Sequence, residues 1–376
     1  MSEQVLYRKY RPKDFLEVVG QEHVVSALTS ALESGKISHA YLFSGPRGVG
    51  KTTLARLIAK SLNCTGDKKP CNKCNLCDDF NQGRAYDLIE IDAASNRGID
   101  EIRELREGVR FVPTKGKYKT YIIDETHMLT PPAFNALLKT LEEPPAHAVF
   151  VLATTELEKV PATIISRTQH FDFRRPRIAQ ISERLRYIAK KEKVELEPDA
   201  AHLIALAAEG SLRDAEGILG QVMAVEDKKI TRIEVENILG LPRREATKKM
   251  FELIAKKDVP GALALVQEVS DAGYDLASFS KMILHYFRNA LFLKTDPALK
   301  KYVEAEMLPD ELETINANLA SFSPEALSRG LQVITTNLQT FKKTPIPQLP
   351  LELTVIELIH APCDNFDQEA RGQQNK

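Results

Sequence analysis

Five short strand-like segments punctuate the first half of the chain, and the residues between them carry their apolar side chains at helical spacing. Three are apolar runs, residues 40–44 (Ala40-Tyr41-Leu42-Phe43-Ser44), 119–125 and 147–155; residues 87–92 alternate, and residues 170–173 read as a last short strand. Short apolar runs bounded by turn-forming residues read as buried strands, while apolar positions recurring every three or four residues read as helices. Strands alternating with helices predict a parallel sheet covered by helices. Ligands of such sheets bind beyond the carboxyl ends of the strands, where Asp124 and Thr155 both fall.

The alternation stops at Arg174-Arg175-Pro176-Arg177, which divides an α/β part, residues 1–176, from a small helical part, 177–242. Residues 243–361 are expected to be wholly helical. There Leu327, Leu331, Ile334, Leu338 and Phe341 fall at steps of four and three behind Ser323-Pro324, a capping residue followed by proline at the first helical position. Such a stripe means packing, within the chain or against sister subunits. The polar tail 362–376 is expected to be disordered, and its abrupt end suggests that a longer protein has been cut short.

Composition changes this picture little. A length of 376 residues predicts two to three domains, and 43% hydrophobic residues suffice for real cores. With 51 basic and 52 acidic residues the net charge is −1, so contact with nucleic acid must come from a local cluster and not from a global field. No apolar run reaches about 18 residues, and Met1-Ser2-Glu3-Gln4 lacks the build of a signal peptide. The expectation is a soluble, cytoplasmic protein with no membrane contact and reduced thiols.

Chemistry enters at Gly45-Pro46-Arg47-Gly48-Val49-Gly50-Lys51-Thr52, a full match to GxxxxGK[ST], followed by Thr53. A strand precedes it and a helix pattern follows, the order a phosphate-binding loop requires. A chance glycine-rich turn would need neither. Glycines at 45, 48 and 50 remove side chains that would keep a phosphate from the backbone N–H groups and the helix N-terminus. Lys51 is then expected to hold the outer phosphates, and Thr52 to offer its hydroxyl to Mg²⁺. The strand at 119–125 ends in Asp124 and Glu125: Asp124 to share the Mg²⁺ with Thr52, Glu125 to orient or deprotonate the attacking water. Carboxylates at strand ends are often mere turn formers, but this strand follows a phosphate loop at a plausible spacing. His127 and Met128 are expected to begin the next helix, and His127 is read as structural.

Upstream, residues 5–25 mix basic and aromatic side chains. Two readings stand side by side: a basic arm for nucleic acid, or a wall for the adenine built from Tyr7, Pro12, Val18 and Val19 with Arg11 near the phosphates. Arg97, Arg103 and Arg106 lie beside or on a helix expected to open after Gly98, where they could grip a phosphate or merely face solvent. Cys64, Cys71, Cys74 and Cys77, spaced C-x6-C-x2-C-x2-C, point to a metal. A tetrahedral four-thiolate shell suits structural Zn²⁺ and leaves no open position for a reacting water. An iron–sulfur cluster competes with it; disulfides are disfavoured by the compartment. Cys363 is read as a bystander. Arg213 sits in the first turn of a helix opened by Gly210-Ser211-Leu212, against the helix dipole, which suggests that its task lies elsewhere.

In this order the phosphate loop, Asp124-Glu125, Thr155, Ser166-Arg167 and Gly210-Ser211-Leu212-Arg213 resemble AAA+ ATPases. Lys9-Tyr10-Arg11-Pro12, Val19-Gly20-Gln21 and the four-cysteine insert narrow the resemblance to the gamma/tau family of bacterial DNA polymerase III clamp-loader subunits, over residues 1 to about 361. The resemblance implies an ATPase that opens a sliding clamp and loads it onto primer–template DNA, with delta, delta-prime and further copies of itself as partners. It implies that Thr155 is a sensor of the γ-phosphate and that Arg213 reaches the ATP of its own subunit. Arg167 would serve the neighbour's ATP, and Arg97 and Arg103 would lie near DNA. It further implies that the helical part at 177–242 is a lid and the part at 243–361 an oligomerisation collar. The family often has Ser-Arg-Cys where this chain has Ser166-Arg167-Thr168. A branch-migration motor and a scaffold with a purely structural nucleotide are the rival readings, and no motif for making phosphodiester bonds is present.

Overall fold

The computed structural model describes residues 5–360 apart from 226–227, 305–306 and 342. The expected tail and Cys363 lie outside the described residues. The chain divides into two compact units, residues 1–194 with 204–227 and residues 195–203 with 228–376.

The first unit is built on a five-stranded parallel sheet of β1 (Ala40–Ser44), β2 (Leu88–Asp92), β3 (Lys119–Asp124), β4 (Ala148–Thr154) and β5 (Gln169–Asp172), in the order β2-β3-β4-β1-β5. Its helices are α1 (Leu6–Lys9), α2 (Glu22–Glu33), α3 (Lys51–Asn63), α4 (Asn75–Asn81), α5 (Ile99–Val109), α6 (Pro131–Glu142), α7 (Ala162–Ile165) and α8 (Ile178–Lys191). α10 (Leu212–Val225) belongs to it as well, and α9 (Pro198–Ala207) spans the division. Strand β4 is buried along its whole length because it is central and covered on both faces. Its Ala148, Phe150 and Leu152 pack with α5 and α6 on one side; Val149, Val151 and Ala153 pack with α2 and α3 on the other. That two-sided burial is why the run reads as continuously apolar and not alternating. β2, at one edge, alternates and is half exposed.

The order of strands sets the site. β1 delivers the phosphate loop, β3 ends in the carboxylates, and β4 lies between them, with Ser44 paired to Thr154 and Ile123 to Leu152. Residues expected to begin a helix at His127 instead form a single 3₁₀ turn, Thr126–Met128, and α6 starts only at Pro131.

The second unit holds a two-stranded parallel pair, β6 (Glu195–Leu196) with β7 (Lys229–Ile230), and helices α11 (Arg232–Ile238), α12 (Arg244–Ala255), α13 (Val259–Asp271) and α14 (Leu276–Thr295). They are followed by α15 (Lys300–Glu304), α16 (Pro309–Asn318), α17 (Pro324–Leu338) and α18 (Leu349–His360). In α17, Ser323 accepts from the Ala326 N–H as the cap and Pro324 takes the first helical position. Leu327 and Ile334 are buried, and Leu331, Leu338 and Phe341 pack against the same core, around Phe251, Phe279 and Phe287.

Candidate functional site

The loop between β1 and α3 is shaped by its glycines. Gly48 has φ +75°, and a Cβ there would stand 1.9 Å from Ser211 Oγ; at Gly45, φ +135°, it would stand 2.3 Å from the Phe173 carbonyl oxygen. Neither position tolerates a side chain, so backbone and N–H groups form the loop surface. Gly50, φ +102°, is the N-cap residue of α3, and its carbonyl accepts from Leu54 N at 2.9 Å. The Lys51 ammonium, on a side chain 6% exposed, donates to the carbonyls of Gly45 (2.7 Å) and Pro46 (2.8 Å). Burial pushes its pKa down; Glu125 and Asp124 oppose that shift.

Around this loop lies a cavity of about 500 Å³, a size suited to a small ligand. Gly48, Val49, Gly50, Lys51, Thr52, Thr53, Asp124, Glu125 and Arg213 line it, together with Tyr7, Arg11, Pro12, Val18 and Val19. Thr52 Oγ1 donates to Asp124 Oδ2 at 2.7 Å, so hydroxyl and carboxylate share one corner, a donor pair that fits an octahedral Mg²⁺ otherwise ligated by water and phosphate. Gly45 and Pro46 are absent from the wall and act through their carbonyls on Lys51. Thr155 does not line the cavity but reaches one of its walls, its hydroxyl donating to Glu125 Oε2 at 2.9 Å.

Arg213 reaches the cavity because α10 docks on the loop, with Arg213 N 3.4 Å from the Gly48 carbonyl. Its guanidinium lies 4.9 Å from the centre of the Tyr7 ring, and the hydrogen bond it gives lowers the Tyr7 phenol's pKa. The segment before α2 is thereby tied to the helices that follow the sheet. Leu6 lies against Gly220, Lys9 pairs with Glu192 at 2.6 Å, and Tyr10 bonds Glu192 through its hydroxyl and Arg184 through its carbonyl. Arg184 also pairs with Glu216 at 3.0 Å, both almost fully buried, and burial pushes the Glu216 carboxyl up against the opposing pull of Arg184 and Arg11. Arg184, Glu216, Arg47 and Arg56 line the cavity too, and sequence reasoning missed them. Arg56 was findable, being one turn beyond Thr52 on the helix behind the loop; Arg184 and Glu216 carry no local signature.

Three of the expected residues stand apart from the cavity. Arg167 pairs with Glu142 at 2.7 Å and donates to the Thr163 carbonyl at 2.8 Å. Arg97 and Arg103 are exposed, Arg103 paired with Asp100 at 2.9 Å on α5.

The four cysteines gather at the far end of α3. Their sulfur atoms lie within 4.8 Å of one another, with 3.9 Å between Cys71 and Cys77, close to the roughly 3.8 Å edge of a tetrahedron with 2.3 Å Zn–S bonds. Backbone N–H groups point at the sulfurs, as a thiolate shell requires: Gly66 and Cys71 at Cys64, Lys73 and Cys74 at Cys71, Cys77 at Cys74. Burial resists ionisation of Cys74, but N–H donors from Thr65 and Cys77 outweigh it and bring the thiol down to about 6; burial pushes Cys77 up. The donor set fits Zn²⁺. Cys64 is the C-cap residue of α3, and Lys60, one turn earlier and 3% exposed, donates to the Lys13 carbonyl (2.6 Å), Asn72 Oδ1 (2.6 Å) and Asn81 Oδ1 (3.0 Å).

A strand that feeds a phosphate loop, a second strand ending in paired carboxylates, a polar strand end between them and an arginine brought over the cavity define an AAA+ P-loop ATPase fold. Family models described as DNA polymerase III delta subunit, DNA polymerase III clamp loader subunit ATPase lid domain, and DNA polymerase III subunits gamma and tau domain III match residues 20–177, 180–227 and 230–370. DNA polymerase III subunit gamma of Buchnera aphidicola subsp. Schizaphis graminum is 37% identical over 325 residues, 86% of this chain and 90% of that one. Subunit tau of Bacillus subtilis is 41% identical over 372 residues, and subunit tau of Escherichia coli 44% over 300. The chain belongs to the DNA polymerase III gamma/tau family. It covers 98% and 79% of itself in the latter two comparisons but spans only 65% and 47% of those proteins' lengths. A solved Thermotoga maritima RuvB branch-migration motor shares 22% identity at a TM-score of 0.48, over 67% of this chain and 80% of that one, too loose a likeness to carry an argument.

Proposed function

We propose that this chain is the ATP-hydrolysing motor subunit of a bacterial replicative clamp loader, acting within DNA polymerase III. The observation that carries the proposal is the convergence of Lys51, Thr52, Asp124, Glu125 and Arg213 on one cavity in a chain of the gamma/tau family. ATP lies with its adenine against Tyr7, Pro12, Val18 and Val19 and its phosphates along Gly45–Thr53. Lys51 leaves its loop carbonyls for the outer phosphates, and Arg11 and Arg213 add positive charge. Mg²⁺, held by Thr52 and Asp124, offsets the negative charge that builds up on the phosphate oxygens. Glu125, steadied by Thr155, aims the attacking water and takes its proton.

Arg167, away from its own cavity, serves the ATP of a neighbouring subunit. Residues 1–176 act as the motor with a zinc module at 64–77, residues 177–242 as its lid, and residues 243–361 as the collar that joins the chain to delta, delta-prime and further copies. ATP binding draws the assembly into a spiral that opens the sliding clamp and accepts primer–template DNA, with Arg97 and Arg103 near its phosphates. Hydrolysis then releases the closed clamp. The work is cytoplasmic; among the described residues no helix is long and apolar enough to cross a membrane.

The test is ATP turnover by the chain assembled with the other loader subunits, with and without sliding clamp and primed DNA. Turnover that rises with both together supports the proposal. Turnover that ignores the clamp but accompanies duplex unwinding would favour a branch-migration motor, and bound nucleotide with no turnover a scaffold.

A further inference from the structure

The turn after β3 carries a buried group that the chemistry above does not use. His127, its side chain 6% exposed, sits with Nδ1 3.0 Å from Thr154 Oγ1 and Nε2 3.1 Å from Glu156 Oε1. Nδ1 is also 3.6 Å from Glu125 Oε2, the oxygen that accepts the Thr155 hydroxyl. The other Glu156 oxygen takes Lys159 Nζ at 2.6 Å.

The network assigns the ring's tautomer. Thr154 Oγ1 accepts the Glu156 N–H at 3.0 Å, and its own proton has Nδ1 within reach. The Glu156 carboxylate can only accept, so Nε2 carries the hydrogen that goes to it, and the Thr154 hydroxyl can give its own to Nδ1. Two turns at the ends of adjacent strands are thus bolted together: residue 126 donates to the Ile123 and Ala153 carbonyls at 2.8 and 3.1 Å, His127 bridges to Thr154 and Glu156, and Thr155 reaches Glu125. Glu125 itself has φ 49° and ψ 44°, a left-handed conformation unusual for a non-glycine residue and one that persists only where its surroundings hold it.

We propose that His127 is a positioning residue for ATP hydrolysis: by locking the turn that bears Thr155 onto the turn that bears Glu125, it sets the direction of the Glu125 carboxylate toward the attacking water. The inference rests on the reading of Glu125 as the group that activates water, and its test keeps the two apart. In the assembled loader with clamp and primed DNA, wild type hydrolyses ATP and Glu125→Gln binds ATP without turnover; failure here overturns the reading of Glu125 itself.

With that arm in place, His127→Leu lowers kcat about 10- to 100-fold, the scale of a small misplacement of a reacting group, while KM for ATP moves less than about twofold. His127→Gln, whose amide nitrogen can reach the Glu156 carboxylate as Nε2 does, recovers much of the loss, and Glu156→Ala reproduces part of it with the ring intact. Long-range ¹H–¹⁵N spectra of the histidine-labelled chain, assigned by the signal missing in His127→Gln, show a ring hydrogen on Nε2. A wild-type kcat in His127→Leu, a glutamine variant no better than leucine, an Nδ1–H ring, or a kcat that falls only in step with thermal stability and ATP affinity would overturn the proposal.

Discussion

The Lys51 ammonium, on a residue 6% exposed, bonds the carbonyls of its own loop, and nothing else in the loop carries a full positive charge so deep. Lys51→Ala should abolish ATP binding, read by titration calorimetry, while far-ultraviolet circular dichroism stays that of the folded chain; an unchanged affinity would remove the loop from the site. Gly48→Ala tests the same loop from the outside. The added methyl would meet Ser211 and the backbone would keep a conformation costly for alanine, so stability should fall by about 1–3 kcal/mol and ATP should bind more weakly. Lys51 and Gly48 were legible in the sequence because a phosphate loop confines its chemistry to eight consecutive positions. Arg184 and Glu216 were not: they meet only after α8 and α10 fold back, and their spacing along the chain records nothing of it.

Among the elements, β1, β3 and β4 were legible because burial on both faces writes unbroken apolar runs, and the edge strand β2 by its alternation, whereas the turn at 126–128 was read as a helix start although the Thr126 hydroxyl folds back on the Ile123 and Ala153 carbonyls and Leu129 runs extended ahead of Pro131. The loop before β3 is held by one carboxylate: Asp87 accepts N–H bonds from Thr114 (2.5 Å), Lys115 (2.9 Å) and Gly116 (2.7 Å). Burial opposes its charge, but the three N–H donors outweigh it and hold the Asp87 carboxyl below its ordinary range. A pKa lowered by folding adds stability above the unfolded value of about 3.9 and loses it as the pH falls through the folded value. Denaturant unfolding should therefore show wild type losing stability between about pH 4 and more acid conditions, and Asp87→Asn losing less over the same interval. Asp87→Ala, which strands three N–H groups, should cost about 1–3 kcal/mol or more at neutral pH. The cysteine insert makes a separate prediction: one Zn²⁺ per chain by metal analysis, with local unfolding of residues 64–81 on chelation while the sheet persists. Iron, or no metal, would refute it.

For the molecule as a whole, the expectation that Arg167 acts in trans and Arg213 in cis comes from the family resemblance, since a sequence does not record which surface meets a neighbour. Arg167 pairs with Glu142 and lies off its own cavity, so Arg167→Ala should leave ATP binding by its own chain intact and slow hydrolysis at the adjoining site by about 10³- to 10⁵-fold. Loaders mixing Lys51→Ala with Arg167→Ala subunits should retain turnover only where an intact loop faces an intact arginine; an isolated chain whose basal rate collapses with Arg167→Ala would place the arginine in cis. The helix behind the phosphate loop also reaches further than its own site. α3 is a rod about 20 Å long that begins at Lys51 and ends in Asn63, with Cys64 as its cap and the Lys60 ammonium knotted to Asn72 and Asn81. A constraint shared by two ends of one rod is reciprocal: if binding at one end steadies the other, occupancy of either end must strengthen binding at the opposite end by the same factor. Saturating ATP should slow the attack of a thiol reagent on Cys71 and Cys74, and stripping the insert of its metal should weaken ATP by the ratio in which ATP had tightened the metal, so that the cysteines keep a ledger of what the phosphate loop holds.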